Sequence, residues 1–180
     1  MEQKKSPLLE IQNLSVSFRM YERGLKQQDL RVISDLHLTA YPGEILAIAG
    51  SSGSGKSLLA SAILGILPTN STCQGKLLYK GAALTPERQG QLRGTEIALV
   101  PQSVSYLDPL MKVGAQVDGH YKPKLTGKRK KFFERFQLPE QTAQLYPFQL
   151  SGGMARRVLV STALVTDAEL IIADEPTPGM

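Results

Sequence analysis

The chain has 180 residues, of which 42% are hydrophobic and 21% charged, with 16 glycines and 11 prolines. This composition is that of an ordinary globular domain and excludes disordered and collagen-like chains. Cys73 is the only cysteine, so no internal disulfide can form, and no apolar run approaches the ~20 residues that a membrane-spanning helix needs. We therefore expect a cytoplasmic protein that associates with any membrane only through a partner protein.

The net charge of +5 is concentrated in one short segment. Seven basic residues and one acidic residue lie between Tyr121 and Arg135, and three phenylalanines at helical spacing interleave with them: Phe132, Phe133 and Phe136. The pattern favours a solvated basic helix face with an apolar underside. A contact with nucleic acid or anionic lipid is the alternative.

Alternating apolar residues predict an antiparallel β portion at the start of the chain. Residues 9–20 alternate with one change of phase, which predicts a strand with a bulge or two short strands. The polar residues 21–30 predict a hairpin connection, and residues 31–39 predict the returning strand. The apolar run at residues 44–49 then predicts a short buried strand.

Strands and helices alternate in the rest of the chain. The predicted elements are a helix at 56–67 stopped by Pro68, strands at 76–80 and 96–100, a helix at 127–137, a helix from 152 to about 165, and a buried strand at 169–173. The stretch 103–149, rich in Tyr, Pro, Lys and Gln, differs in character and predicts an inserted helical subdomain. The order of elements indicates an α/β fold with a largely parallel sheet behind an antiparallel N-terminal portion.

A glycine-rich loop joins the predicted strand at 44–49 to the helix that follows it. Its sequence, Gly50-Ser51-Ser52-Gly53-Ser54-Gly55-Lys56-Ser57, fits G-x-x-x-x-G-K-[ST] in the strand–loop–helix context that gives the pattern meaning. The glycines let successive N–H groups point at phosphate oxygens, and the helix adds its positive end. We expect Lys56 to reach the β and γ phosphates and Ser57 to ligate Mg²⁺. A glycine turn beside a core strand is the alternative.

Two acids, Asp174 and Glu175, follow the apolar run at 170–173. Residues just past the carboxyl end of a buried parallel strand project into the ligand crevice. There Asp174 can hold Mg²⁺ through its hydration shell, and Glu175 can orient or deprotonate a water that attacks the γ-phosphate. Such acids alone are more often a solvated strand end, but the phosphate loop upstream favours the functional interpretation.

The sequence Leu150-Ser151-Gly152-Gly153-Met154 resembles the signature of the ATP-binding cassette (ABC) family. The phosphate loop, Gln102 after a strand, this signature and the paired acids occur in the family's order, and the resemblance covers essentially the whole chain. It implies an α/β fold: a P-loop NTPase core of the ABC type with an N-terminal antiparallel β subdomain. An inserted helical subdomain would span about residues 103–150.

The resemblance also implies how the site is assembled. ATP lies in a head-to-tail dimer, homo- or heterodimeric, between one subunit's phosphate loop and the other subunit's signature residues Ser151, Gly152 and Gly153. A second helix N-terminus thus faces the γ-phosphate.

The resemblance assigns further roles to single residues. Gln102 senses Mg²⁺ and the attacking water, so the expected catalytic residues are Lys56, Gln102 and Glu175, and the expected metal ligands are Ser57, Gln102 and Asp174. An adenine-stacking aromatic is usual before the phosphate loop in this family. Tyr21 is the first candidate and Phe18 the second.

Within the family, the loop 102–109 with residues 113–116 looks like the branch that energises importers of oligopeptides, dipeptides or nickel. This resemblance implies integral membrane permease subunits as partners, a solute-binding protein acting indirectly, and a place at the cytoplasmic face of the membrane. Nucleic acid is not expected as a partner. Two other interpretations stay open: a soluble ABC ATPase acting on nucleic acid or ribosomes, and a nucleotide-binding fragment without activity.

The chain departs from the family pattern in two places. Met154 stands where the family usually has glutamine. The chain ends at Met180, before the family's D-loop aspartate and switch histidine, and His37 and His120 both precede the paired acids. We therefore expect a single ABC domain over residues 1–180 that is incomplete at its C-terminus. In the family a later strand lies between the phosphate-loop strand and the strand carrying Asp174, so residues 1–180 alone are expected to fold poorly and hydrolyse little ATP.

Overall fold

The computed structural model describes residues 6–21, 27–119 and 126–176. The chain divides into two compact units, Met1–Leu92 and Arg93–Met180. The first is the N-terminal unit and the second the C-terminal unit.

The N-terminal unit is built on an antiparallel sheet. Its strands are β1 (Leu9–Tyr21), β2 (Gln27–Ala40), β3 (Ser71–Tyr79) and β4 (Ala82–Ala83), in the order β2-β1-β3-β4. The pairing of β1 with β2 shifts register between Ile11 and Leu14, where the apolar alternation changes phase. Both residues are buried. The prediction of a strand with a bulge is therefore confirmed, because the bulge keeps apolar side chains on the core face on both sides of it.

The hairpin between β1 and β2 is longer than predicted. The strands pair out to Tyr21 and Gln27, so residues 27–30 belong to a strand and not to the connection. Their polarity suggested a loop, but both faces of the hairpin tip are exposed and polar residues are tolerated there. Residues 22–26 lie outside the described residues.

Helix α1 (Lys56–Leu64) ends three residues earlier than predicted. Gly65 adopts the left-handed conformation, with φ +67°, and its N–H donates to the carbonyl oxygen of Ala62. The side-chain amide of Gln89, on helix α2 (Pro86–Leu92), donates to the carbonyl oxygens of Ala62 and Ile63. The glycine cap and this amide end the helix before Pro68 is reached.

Residues 44–49 do not form the predicted buried strand. They have no regular secondary structure and are all exposed, with Ile45 99% exposed. A strand requires a neighbour that accepts and donates its backbone hydrogen bonds, and none of the described strands pairs with this segment. The apolar run correctly indicated residues that favour a strand, but a local pattern contains no information on which strand would pair with them.

The described part of the C-terminal unit contains a parallel pair of strands, three α-helices and short 3-10 helices. Strands β5 (Ile97–Val100) and β6 (Leu170–Ala173) pair in parallel, with Ile97 opposite Leu170 and Val100 opposite Ala173. The helices are α3 (Val113–Asp118), α4 (Thr126–Arg135) and α5 (Gly152–Leu164), and short 3-10 helices lie at Val104–Tyr106, Glu140–Gln144 and Pro147–Gln149. The described part of 103–149 contains helices and no strand.

A core of buried side chains joins the helices of this unit. Its most deeply buried members are Val113 and Val117 of α3, Phe133 of α4, Val158 of α5, and Val165 just after α5. Phe132 and Phe136 pack against it partly buried. The predicted apolar underside of the basic segment is confirmed by these contacts, while residues 121–125 lie outside the described residues.

Two of the basic residues in α4 are held by ion pairs. Lys128 pairs with Asp167, and Arg129 pairs with Asp118. These contacts neutralise part of the charge that suggested a polyanion contact.

Within the described ranges, no helix combines the length and apolarity that crossing a bilayer requires.

Candidate nucleotide site

The glycine-rich loop 50–57 connects residues 44–49 to α1 in the N-terminal unit. Gly53 and Gly55 have φ angles of +79° and +91°, in the region that favours glycine. A Cβ on Gly55 would stand 3.2 Å from Ile33 Cγ1 and 3.3 Å from Val32 Cγ1, so the loop lies close against β2. Both glycines are therefore required by the path of the backbone.

The Lys56 ammonium lies over this loop. Its Nζ donates to the carbonyl oxygens of Gly50 at 2.8 Å and Ser51 at 2.9 Å. Among the described residues no side chain caps the first turn of α1, and Ser57 is exposed there. Backbone N–H groups, an ammonium and a hydroxyl are thus placed together, and this donor set suits a phosphate chain.

The acids and the glutamine predicted from the sequence come together in the C-terminal unit. Because β5 and β6 are parallel, their carboxyl ends lie side by side, and the Asp174 N–H extends the ladder by donating to the Val100 carbonyl at 2.9 Å. Gln102 Nε2 donates to Glu175 Oε2 at 2.6 Å. An amide thus holds the carboxylate of Glu175 next to Asp174.

The signature residues form the N-terminus of α5 in the same unit. Ser151 is the N-cap, and its Oγ accepts from the Met154 N–H at 3.3 Å. Gly152 and Gly153 are exposed, and a Cβ on either would meet no described atom within 4 Å. This helix end is therefore open and its backbone accessible.

Sequence reasoning missed Arg156, which the structure places at the ends of β5 and β6. It lies on α5, and its guanidinium donates to the carbonyl oxygens of Pro101, Gln102, Glu175 and Pro176. The available signal was its position one helical turn after Gly152, on a helix that the apolar period predicts. A basic residue on a helix surface is usually solvated, so that signal was weak.

The candidates for adenine stacking, Tyr21 and Phe18, both lie on β1 of the N-terminal unit. Tyr21 is 66% exposed, and its hydroxyl accepts from Gln27 Nε2 across the hairpin at 3.2 Å. Phe18 is half-buried and pairs with Leu30. Tyr21 offers the more accessible ring.

The described residues contain no group of three or more His, Cys, Asp or Glu side chains able to hold a metal by themselves. The expected Mg²⁺ ligands are a different kind of set: Ser57 in the N-terminal unit, and Gln102 and Asp174 in the C-terminal unit. Mg²⁺ commonly binds one or two protein oxygens together with substrate phosphates and water. Each of these residues carries an oxygen donor of the kind that Mg²⁺ binds.

The profile of the ABC transporter family matches residues 33–178. The chain belongs to the ABC transporter family. It is 37% identical over 188 residues to the oligopeptide transport ATP-binding protein OppD of Bacillus subtilis (strain 168), covering 96% of this chain and 51% of that protein. It is 34% identical over 189 residues to the probable D,D-dipeptide transport ATP-binding protein DdpD of Escherichia coli (strain K12), covering 97% of this chain and 56% of that protein.

The cassette spans about half the length of the curated relatives it matches. Among solved structures, it resembles a dimeric ATP-binding cassette in a post-hydrolysis state bound to ADP and Pi, with a TM-score of 0.79 and 26% identity. That match covers 96% of this chain and 75% of the solved chain. The fold is therefore the α/β P-loop fold of the ABC type, as the sequence predicted.

Proposed function

We propose that this cassette binds ATP with Mg²⁺ and hydrolyses it as the ATPase subunit of a peptide importer. The observation that carries the proposal is the 2.6 Å hydrogen bond between Gln102 and Glu175 at the carboxyl ends of two parallel strands. It holds a carboxylate beside a second acid, Asp174, in a chain that also carries a phosphate loop. That combination suits attack of water on a phosphoryl group.

Different residues of the chain bind the phosphates, hold the metal and accept the proton. N–H groups of the loop, Gly50, Ser51, Ser52, Gly53, Ser54 and Gly55, with the Lys56 ammonium, bind the phosphates. Ser57, Gln102 and Asp174 would hold Mg²⁺, which would supply positive charge to the phosphate chain. Glu175 accepts the proton of the attacking water.

The signature residues Ser151, Gly152 and Gly153 act on the nucleotide of a second ATPase subunit. Their open helix N-terminus favours an anion, and the solved cassette that this chain resembles is dimeric. The partner is a second copy or a homologous subunit. ATP then stabilises the dimer, and loss of the γ-phosphate releases it.

The transported substrate is proposed from the relatives. Their names give peptides and dipeptides, so we propose peptides and not nickel. Permease subunits in the membrane would then be direct partners at its cytoplasmic face, and a solute-binding protein would act through them. Action on nucleic acid or ribosomes has less support, since Lys128 and Arg129 of the basic segment are engaged in ion pairs.

Substitution of Lys56 tests the phosphate site. We expect Lys56→Ala to abolish productive ATP binding, because the loop's N–H donors remain but the mobile cation on the β and γ phosphates is lost. The measurement is titration with Mg-ATP together with phosphate release. Lys76→Ala, the same change at an exposed position on β3, serves as the control.

In the control variant, ATP affinity and turnover should stay at the wild-type level. Unchanged affinity and turnover in Lys56→Ala would reject the loop as the nucleotide site. A wild-type protein that binds ATP tightly without releasing phosphate would reject hydrolysis and leave a binding role.

A further inference from the structure

Arg156 uses its whole guanidinium to join the ends of two strands. Nη1 donates to the carbonyl oxygens of Pro101 at 2.6 Å and Gln102 at 2.8 Å, on the chain that leaves β5. Nη2 donates to Glu175 at 2.8 Å and Nε to Pro176 at 2.8 Å, on the chain that leaves β6. One planar side chain therefore fixes the distance between the backbones that carry Gln102 and Glu175.

The backbone of Glu175 requires such support. Its φ angle is +44°, in the left-handed region that is strained for a residue with a Cβ. Hydrogen bonds from a charged donor to the carbonyl oxygens of Glu175 and Pro176 favour this conformation. The side chain of Glu175 is thereby directed to Gln102.

Arg157, the next residue on α5, serves as an internal comparison. It donates instead to the carbonyl oxygens of Gly153, Phe136 and Gln137. Those contacts join α5 to its own first turn and to the end of α4. The two arginines therefore stabilise different parts of the same unit.

We propose that Arg156 is a positioning residue for the hydrolytic pair Gln102 and Glu175. It acts through the backbone of both residues. The proposal rests on the proposed ATPase function and adds to it a link between the signature helix and the carboxylate. Because Arg156 lies one turn from the open N-terminus of α5, a shift of that helix end must either carry the Glu175 backbone with it or break these hydrogen bonds.

The test compares Arg156→Gln with Arg157→Gln in the protein that carries this chain. We expect Arg156→Gln to lower kcat on the order of 10- to 100-fold with KM for ATP within about threefold, since binding is unaffected and the base is misplaced. Arg157→Gln should lower the melting temperature and leave kcat within about threefold. Arg156→Lys should recover only part of the lost rate, because an ammonium cannot reproduce the planar fork.

A double substitution separates positioning from general damage. If Arg156 acts through Glu175, adding Arg156→Gln to Glu175→Gln should not slow single-turnover phosphate release further. An additional fall as large as that in the wild-type background would overturn the proposal. An equal fall of kcat in Arg157→Gln would overturn it as well.

Hydrogen exchange provides a readout that does not depend on activity. The Asp174 N–H donates to Val100 at the end of the ladder that Arg156 closes, so its exchange should become at least about tenfold faster in Arg156→Gln and not in Arg157→Gln. Unchanged exchange of that amide in both variants would overturn the positioning role. If the wild-type protein releases no phosphate, the proposed function fails, and this measurement still decides whether Arg156 holds the strand ends.

Discussion

Glu175 is constrained through both its side chain and its backbone. The carboxylate accepts from Gln102, and the carbonyl oxygen accepts from Arg156. Both contacts restrict the position of the Glu175 carboxylate, the proposed proton acceptor. At the scale of single residues, the proposed chemistry therefore depends on one carboxylate and on the donors that orient it.

We expect Glu175→Gln to bind ATP with wild-type affinity and hydrolyse it on the order of 10² to 10⁴ times more slowly. The amide keeps the shape and can still accept from Gln102 through its oxygen, but it cannot take a proton from water. Single-turnover phosphate release and nucleotide titration measure the two properties. Glu134→Gln, at an exposed position on α4, is the matched control. Turnover of Glu175→Gln within a few-fold of wild type would show that another group is the base.

At the scale of elements, α3 and α4 are joined by the ion pair between Asp118 and Arg129. The two side chains are only 19% and 16% exposed, and Asp118 Oδ1 has no hydrogen-bond partner among the described residues. Burial raises the pKa of Asp118, and the Arg129 charge opposes that rise. The adjacent pair of Lys128 with Asp167 is much more exposed, at 41% and 68%.

We expect Arg129→Ala to lower the free energy of unfolding by about 1 to 3 kcal/mol near neutral pH, because a desolvated carboxylate loses its partner. Lys128→Ala should change it by less than about 0.5 kcal/mol. Removing Arg129 raises the pKa of Asp118 further above its unfolded value. The folded state then binds the proton more tightly, so the loss shrinks as the pH falls toward about 4. Urea unfolding at the two pH values measures this, and equal losses in both variants would contradict it.

A second constraint on the packing of elements lies where β3 pairs with β1 beside its bulge. Gly75 has φ +111°, and a Cβ there would stand 2.6 Å from the Asn13 carbonyl oxygen and 2.8 Å from that of Gln12. These are backbone atoms of the bulge, so they cannot move away as a flexible side chain can. Gly90, on α2, has no described atom within 4 Å of an added Cβ.

We expect Gly75→Ala to lower the free energy of unfolding by at least about 2 kcal/mol, from backbone strain together with the steric clash. Gly90→Ala should raise it by about 0.5 to 1 kcal/mol, because alanine is the better helix former. Chemical unfolding of both variants provides the measurement. A Gly75→Ala protein as stable as wild type would show that the bulge relaxes.

At the scale of the whole molecule, burial does not follow hydrophobicity along the chain. Residues 44–49 and β5 are similar apolar runs in sequence. Ile45 is nevertheless 99% exposed, whereas Ile97 is 1% exposed and lies in a parallel ladder. The difference is set by whether a neighbouring strand is present, not by the local sequence.

We expect Ile97→Ala to cost about 2 to 5 kcal/mol of unfolding free energy and Ile45→Ala less than about 0.5 kcal/mol. The first removes packed atoms from a core, and the second removes atoms that already contact water. Urea unfolding monitored by far-ultraviolet circular dichroism measures both. A large loss for Ile45→Ala would mean that residues 44–49 are buried in solution.

The sequence alone determined the motifs, the approximate positions of most elements and the fold class. Glycine at 53 and 55, the period of α5 and the acids after β6 are local signals, since each follows from the backbone conformation or side-chain chemistry of a few consecutive residues. Only the tertiary structure decided which strands pair, where α1 ends and what Arg156 binds. Three outcomes depend on residues far apart in sequence: whether residues 44–49 form a strand, the cap on α1 from Gln89, and the four carbonyl oxygens around the Arg156 guanidinium. No local sequence pattern contains the position of a distant partner.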